Sequence, residues 1–362
     1  MLGSFIRTVR NMYYRYPEIN QDHIGNGPFA KLKIALVTDY LTAACLSYEC
    51  RVRCLTPDNY DSVLREWKPD FIFVESAFHG YRWSWSYKLA RCSGFFTINY
   101  LRDFKALTAL AREMKIPAVF WNKDDGVFYD TFIDAALLCD FIYTADANSV
   151  KRYREAVGFA DKKTGLLQMA IQHRNHRFKG FSFCRKSMCF VGSYYSHMLN
   201  ERSVFLNEVF SACAKKNLPV DVYNRNSFRL SRKLDFDFPQ YPNLTMLPNL
   251  SNEKTADVYR QYNVSLNVNS ITDSPTMCSR RLLEILACGG IIATNRSLAV
   301  ESLFRDYCTV INSRDEAMEM LPSMIDCPSA ENLEKAEAGS RFVAENFTWE
   351  KRIEQLTADL KI

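Results

Sequence analysis

Between Val264 and Glu301 the chain reads VSLNVNSITDSPTMCSRRLLEILACGGIIATNRSLAVE: an apolar strand, a polar turn containing Pro275, a helical run and a second short strand. Thr276, Met277, Ser279, Arg280 and Arg281 stand where that helix opens. A helix N-terminus directs unpaired backbone N–H groups and a partial positive charge at whatever lies before it, which suits a diphosphate. Arg280 and Arg281 add permanent charge at that point. One turn on, Glu284 falls among Leu282, Leu283, Ile285 and Leu286, where a carboxylate without a partner is costly and a pair of sugar hydroxyls is a natural one. Anion, charge and hydroxyl acceptor together describe a nucleotide-sugar site. The same spacing also fits an ordinary strand, turn and helix whose acid pairs with a surface arginine.

The elements that must position these residues alternate. KIALVTD (33–39), VRCLT (52–56), FIFVES (71–76), PAVFWN (117–122) and FIYTAD (141–146) read as strands, with helical patterns between them near 60–67, 103–114 and 128–138. The alternation resumes at MCFVGSYY (188–195), a long helix from Glu201, VDVYN (220–224) and the strand at 264–269, while KGFSFCRKS (179–187) reads as a linker. Beyond Glu301 the pattern is mainly helical. The expectation is α/β: two doubly wound Rossmann-like domains facing a central cleft, with strand ends from both sheets on opposing walls. The boundaries expected are 1–180 for the N-terminal, acceptor-side domain, 181–345 for the nucleotide-sugar domain, and 346–362 for a C-terminal helix packing back on the first domain.

At 362 residues the chain is long enough for two cores. A hydrophobic share of 48% and a charged share of 24% are those of a soluble globular protein. The formal charge of +5, from 46 basic and 41 acidic residues, suits an anionic ligand and falls short of the dense basic stripe of a nucleic-acid binder. The 12 cysteines are scattered through long periodic segments and lack zinc-knuckle spacing, so they read as reduced thiols in a cytoplasmic protein with no metal site. No apolar run approaches the ~18 residues needed to span a bilayer. Within an N-terminal segment at 1–30, residues 1–20 set Phe5, Ile6, Val9, Met12 and Tyr13 opposite Arg7, Arg10 and Arg15, a face suited to peripheral contact with an anionic membrane on the cytoplasmic side or to packing on its own domain.

The segment SPTMCSRRLLEILACGGIIATN resembles the donor-binding segment of glycosyltransferases of the GT-B fold, and most closely the spore-maturation CgeB-like group. FVGSYY with Glu201 and Arg202, VESAFHG, FWNKDDGVF and the closing FTWEKR are similar to motifs of that group in the same order. The resemblance implies transfer of a sugar from a nucleotide diphosphate donor, with no other cofactor, to a glycan, protein or small-molecule acceptor. On it Glu284 accepts the ribose hydroxyls. Thr276, Met277 and Ser279 donate to the diphosphate, and Gly192, Ser193 and Tyr194 lie against the donor. Arg202, Arg225, Arg280 and Arg281 neutralise the phosphates, Arg280 at the reacting centre. Retaining transferases that resemble this group often have two glutamates eight positions apart, but eight before Glu284 stands Thr276, so the first carboxylate is missing. Retention without a metal is the expected outcome.

On the acceptor side, His79 follows FIFVES directly, where an imidazole can bond a sugar hydroxyl or act as a base, and Asp124 is a second candidate. Asp39, Glu75, Lys123 and Asp125 end strands in the same domain. Tyr81, Trp83, Trp85 and Tyr87 alternate in a way that suits stacking on a sugar ring or core packing, and DFD at 235–237 reads as a chance string in a loop. Two rival readings use the same architecture: a nucleotide-sugar epimerase, which needs no acceptor, and an inactive nucleotide-sugar-binding protein.

Overall fold

The structure, a computed structural model, describes residues 19, 27–91, 100–156, 158, 162–195, 197–227 and 236–362. The chain divides into two compact units, one of Met1–Gln168 with Trp349–Ile362 and one of Met169–Thr348. The amphipathic face expected at 1–20 lies outside the described residues, Ile19 excepted.

In the first unit, β1 (Lys33–Val37), β2 (Arg51–Cys54), β3 (Phe71–Glu75), β4 (Ala118–Asn122), β5 (Phe141–Thr144) and β6 (Lys163–Leu166) form one sheet in the order β2-β1-β3-β4-β5-β6. Every pairing is parallel. All residues of β3 and β4 are buried, as expected of interior strands covered on both faces. Phe104, Phe120, Phe132, Trp85 and Tyr153 fill the core between the sheet and its helices. The helix Trp349–Leu360 belongs to this unit. Trp349 packs edge-on against Phe73 and Trp121, and Tyr143 donates to Asp359 Oδ2 at 2.6 Å.

In the second unit, β7 (Arg185–Gly192), β8 (Val220–Asn224), β9 (Leu244–Leu247), β10 (Tyr262–Leu266), β11 (Ile292–Asn295) and β12 (Thr309–Ile311) pair in the order β12-β11-β10-β7-β8-β9. All are parallel. The strand β7 opens at Arg185, inside the stretch expected to be linker. Three strands, β6, β9 and β12, run where the sequence pattern gave none.

The helix Arg280–Ala287 buries Leu282, Leu283, Ile285 and Leu286 against Tyr259, Val300 and Phe304. It stops at Gly289, whose φ of +72° is the left-handed end position that glycine accepts without strain. A side chain there would also collide with Phe178, whose ring lies 2.4 Å from an added Cβ. Among the described residues no helix is long and apolar enough to cross a membrane, and the described cysteines are free.

Candidate functional site

In the second sheet the order turns back between β7 and β10, and open parallel sheets bind ligands beyond the strand ends at such a switch. Arg202, in the first turn of the helix Asn200–Lys215, spans those two ends. It donates to Ser193 O at 2.9 Å, to Val268 O at 3.3 Å and to Ser270 Oγ at 3.4 Å. Arg281 reaches the same place from the other side, donating through Nε to Val191 O at 2.5 Å. Its guanidinium stands 4.6 Å from the Phe190 ring centre, and that of Arg202 stands 6.0 Å from it. Arg225 leaves the end of β8 with its backbone N–H on Gly192 O at 3.0 Å.

These three cations repel one another. Burial and then Arg281 bring the Arg202 pKa down to about 9, with Arg225 adding to the effect against Tyr195. Burial also lowers Arg281, with Arg225 adding to it, while Tyr259 and Glu284 partly offset the loss. Among the described residues none of the three forms an ion pair with a carboxylate. Arg202 Nε and Arg281 Nη1 are buried donors with no acceptor. Buried charge of one sign, held on neutral oxygens and aromatic faces, is unfavourable without a counter-charge. Gly192 serves this cluster: an added Cβ would lie 2.5 Å from Arg281 Nη2 and 2.9 Å from the Phe190 ring. Glycine there admits the guanidinium.

The turn before the helix is satisfied from within. Ser274 Oγ accepts the N–H groups of Thr276 at 3.3 Å and Met277 at 3.1 Å. The Ser279 N–H donates to Asn269 Oδ1 at 2.9 Å, and its hydroxyl donates to Asn267 Oδ1 at 2.5 Å while capping Leu282 N at 3.2 Å. Asn269 N donates to Asn295 Oδ1 at 2.8 Å, and Asn295 Nδ2 returns to Asn269 O at 3.0 Å. The N–H groups of Thr276, Met277 and Ser279 are thus engaged within the turn and its neighbouring strand end. The asparagines that fix the helix start were legible only as NVNS following an apolar strand, where short amides bond local backbone. Tyr194 OH accepts from Asn207 Nδ2 at 2.9 Å, which turns it toward the helix Asn200–Lys215.

Glu284 is 7% exposed, and its Oε1 accepts from Asn252 Nδ2 at 2.7 Å. The other oxygen has no partner among the described residues. Behind it lies His176, whose Nε2 is 2.9 Å from Thr255 Oγ1. Burial lowers the His176 pKa against the pull of Glu284, with Arg260 and Arg280 among its charged neighbours. Arg281 turns toward β7, and Arg280, the residue before it on the helix, has a buried Nε with no acceptor. Sequence reasoning passed over Asn252 and His176: Asn252 is an uncharged residue at the start of its helix, and His176 lies outside any helix or strand.

In the first unit the switch falls between β1 and β3. Glu75, fully buried, accepts Asp39 N–H and Thr42 Oγ1, each at 2.5 Å. Lys123 Nζ bonds Glu75 Oε1 at 2.9 Å and Asp39 Oδ2 at 3.1 Å. Burial raises Glu75 in spite of Lys123. Burial also opposes Asp39, but Lys123 and His79 hold its carboxyl below the ordinary value. His79 lies tilted against Trp83 at 3.8 Å between ring centres and meets Ser86 Oγ through Nδ1 at 3.3 Å. Asp124 accepts from Ser76 Oγ at 2.9 Å. Trp83 has a φ of +63° and its neighbour Arg82 +52°, strained values that set the indole face on His79. Of the alternating aromatics, Trp85 and Tyr81 are buried, while Tyr87 is exposed. In DFD, Asp235 lies outside the described residues and Phe236 packs edge-on against Tyr195.

Residues 207–358, less than half of the chain, match a family model described as glycosyl transferase-like. The search of curated proteins finds no match. Among solved structures, the sucrose-phosphate synthase of Thermosynechococcus elongatus is similar at 10% identity and a TM-score of 0.56, over 91% of this chain and 98% of that one. An α,α-trehalose-phosphate synthase (UDP-forming) from Burkholderia vietnamiensis gives 11% identity and 0.52, over 86% and 78%. The Anabaena HepE protein, solved in complex with UDP, gives 10% and 0.52 over 91% of each chain. The likeness shows the fold, which is the GT-B fold.

Proposed function

We propose that this chain is a glycosyltransferase that moves a sugar from a nucleoside diphosphate donor to a hydroxyl of a glycan, protein or small-molecule acceptor, related to the CgeB-like group. The observation that carries the proposal is the gathering of three guanidinium groups at the β7/β10 switch, Arg202 and Arg281 with buried donors and the exposed Arg225 beside them, none with a carboxylate partner among the described residues. Their charge is matched by a departing diphosphate, and Glu284 keeps one oxygen for the ribose hydroxyls. The UDP held by the similar HepE protein supports the same ligand class.

In the reaction the bond from the sugar C1 to the β-phosphate oxygen breaks and a bond from the acceptor oxygen to C1 forms. The acceptor's proton passes to the leaving phosphate, with retention at C1. Preorganised guanidinium groups stabilise the charge that builds on the diphosphate, so the proposal requires no metal. His79 and Asp124 are the acceptor-side candidates, and the proposed setting is the cytoplasm, with residues 1–20 available to a membrane surface.

The test is calorimetry and thermal unfolding with UDP, GDP, ADP and dTDP and their sugars. One nucleotide is expected to raise the melting temperature by mass action, and Glu284→Ala to weaken it by about tenfold to a hundredfold. Transfer requiring an added acceptor separates the reading from an epimerase, which converts the donor alone. Affinity unchanged by Glu284→Ala, or no response to any nucleotide, overturns the assignment.

A further inference from the structure

The carboxylate of Glu284 does not stand alone. Its Oε1 is held by the Asn252 amide at 2.7 Å, from the first position of the helix Asn252–Gln261. The backbone carbonyl of Asn252 accepts the Thr255 hydroxyl at 2.7 Å, and the same hydroxyl oxygen lies 2.9 Å from Nε2 of His176. Since Thr255 gives its proton to Asn252, His176 is the donor in the second bond. Thr255 and His176 are buried, at 5% and 1% exposure, so the relay is sealed from water on the side away from Glu284. The segment bearing His176 is itself fixed, because Arg260 Nη2 donates to Arg177 O at 2.9 Å and to Asn175 O at 3.4 Å.

A carboxylate on a long side chain samples several rotamers, and ordering it costs entropy at the moment of binding. One oxygen clamped by a neutral amide leaves the negative charge intact and turns the other oxygen to a fixed direction. A lysine or arginine in place of Asn252 would hold Glu284 more strongly and compete with the ligand for both oxygens.

We propose that Asn252, seated by Thr255 and His176, is the positioning residue that presents the free oxygen of Glu284 to the ribose hydroxyls of the donor. The inference rests on the nucleotide reading of the site and adds to it a source of discrimination between ribose and deoxyribose.

The test measures binding of the nucleoside diphosphate that stabilises the wild-type chain, together with its 2′-deoxy analogue, to the full chain and to Asn252→Ala, Asn252→Asp and Thr255→Val. The ribonucleotide is expected to bind Asn252→Ala about tenfold more weakly, and its advantage over the deoxy form to shrink toward unity, a coupling that a loss of fold alone does not produce. Asn252→Asp, equal in size but without the donor, is expected to lose at least as much, and Thr255→Val less. With an acceptor present, KM for the donor rises more than kcat falls. Unchanged discrimination in Asn252→Ala, with ribonucleotide binding retained, overturns the positioning role and leaves the site reading intact. A wild-type chain that binds none of the four nucleotides removes the reading and the inference together.

Discussion

The two units share a doubly wound topology but arrange charge in opposite ways where their strand orders turn back. At the β1/β3 switch, Lys123 lies between Asp39 and Glu75, and each charged group has a partner within 3.1 Å. At the β7/β10 switch, Arg202 and Arg281 bond carbonyl oxygens and face rings, and among the described residues neither they nor Arg225 have a carboxylate partner. The same architecture therefore yields a rim of internally paired charges in one unit and a rim of cations without ion pairs, among the described residues, in the other. Fold alone does not assign function. The electrostatic contrast is what the proposed function uses in placing an anionic ligand at the second unit's switch.

The contrast breaks most sharply by removing the cation from the balanced rim. Lys123→Met leaves Asp39 and the sealed Glu75 facing each other, and deleting one partner of a buried ion pair costs ~3–5 kcal/mol. Glu75 can relieve the cost by taking a proton, so the fall in melting temperature is expected to be larger at pH 8 than at pH 5. Equal losses at the two pH values would mean that Lys123 acts by packing.

In the unbalanced rim the same kind of change is expected to have the opposite sign. Arg281→Met removes an unpaired buried charge while keeping length and apolar contact with Phe190, so the ligand-free chain should melt no lower than wild type and even higher. Nucleotide affinity should fall about a hundredfold. A variant that unfolds more readily and still binds would show that Arg281 serves the fold.

Much of this was legible in sequence, for reasons that explain what was not. Interior strands such as Phe71–Glu75 and Ala118–Asn122 are buried along their whole length, so they appear as largely apolar runs. The strands the pattern missed, β6, β9 and β12, all lie at sheet edges, span three or four residues and are half-exposed, which leaves little apolar signal. Glu284 and its arginines stood out because charge within an apolar helical run is costly. Asn252, Asn267, Asn269 and His176 carry no charge or lie in aperiodic segments. Their roles come from partners 10 to 79 residues away, which spacing cannot reveal.

A smaller effect tests whether the first unit is balanced throughout. One shell deeper than Lys123, Asp125 is fully buried, and its Oδ1 accepts from Asn122 Nδ2 at 2.6 Å and Tyr153 OH at 3.3 Å. Its Oδ2 is buried with no partner. Burial pushes its pKa up to about 7, with Thr144 and Tyr153 opposing and Asp146 adding to the rise. Because the folded value lies above the unfolded one, near 3.9, folding takes up a proton between those values. Stability from this group is present below about pH 4, declines as pH rises through the window and levels off above about pH 7. Asp125→Asn imitates the protonated form and keeps an acceptor for Tyr153. It should therefore unfold at a higher temperature than wild type at pH 8 and at nearly the same temperature at pH 4.5. A wild-type stability profile that is flat across that interval, or an asparagine variant that loses stability at both ends, would mean that Asp125 folds as a carboxylate with a counterion, and that the balance around Lys123 reaches further into the unit.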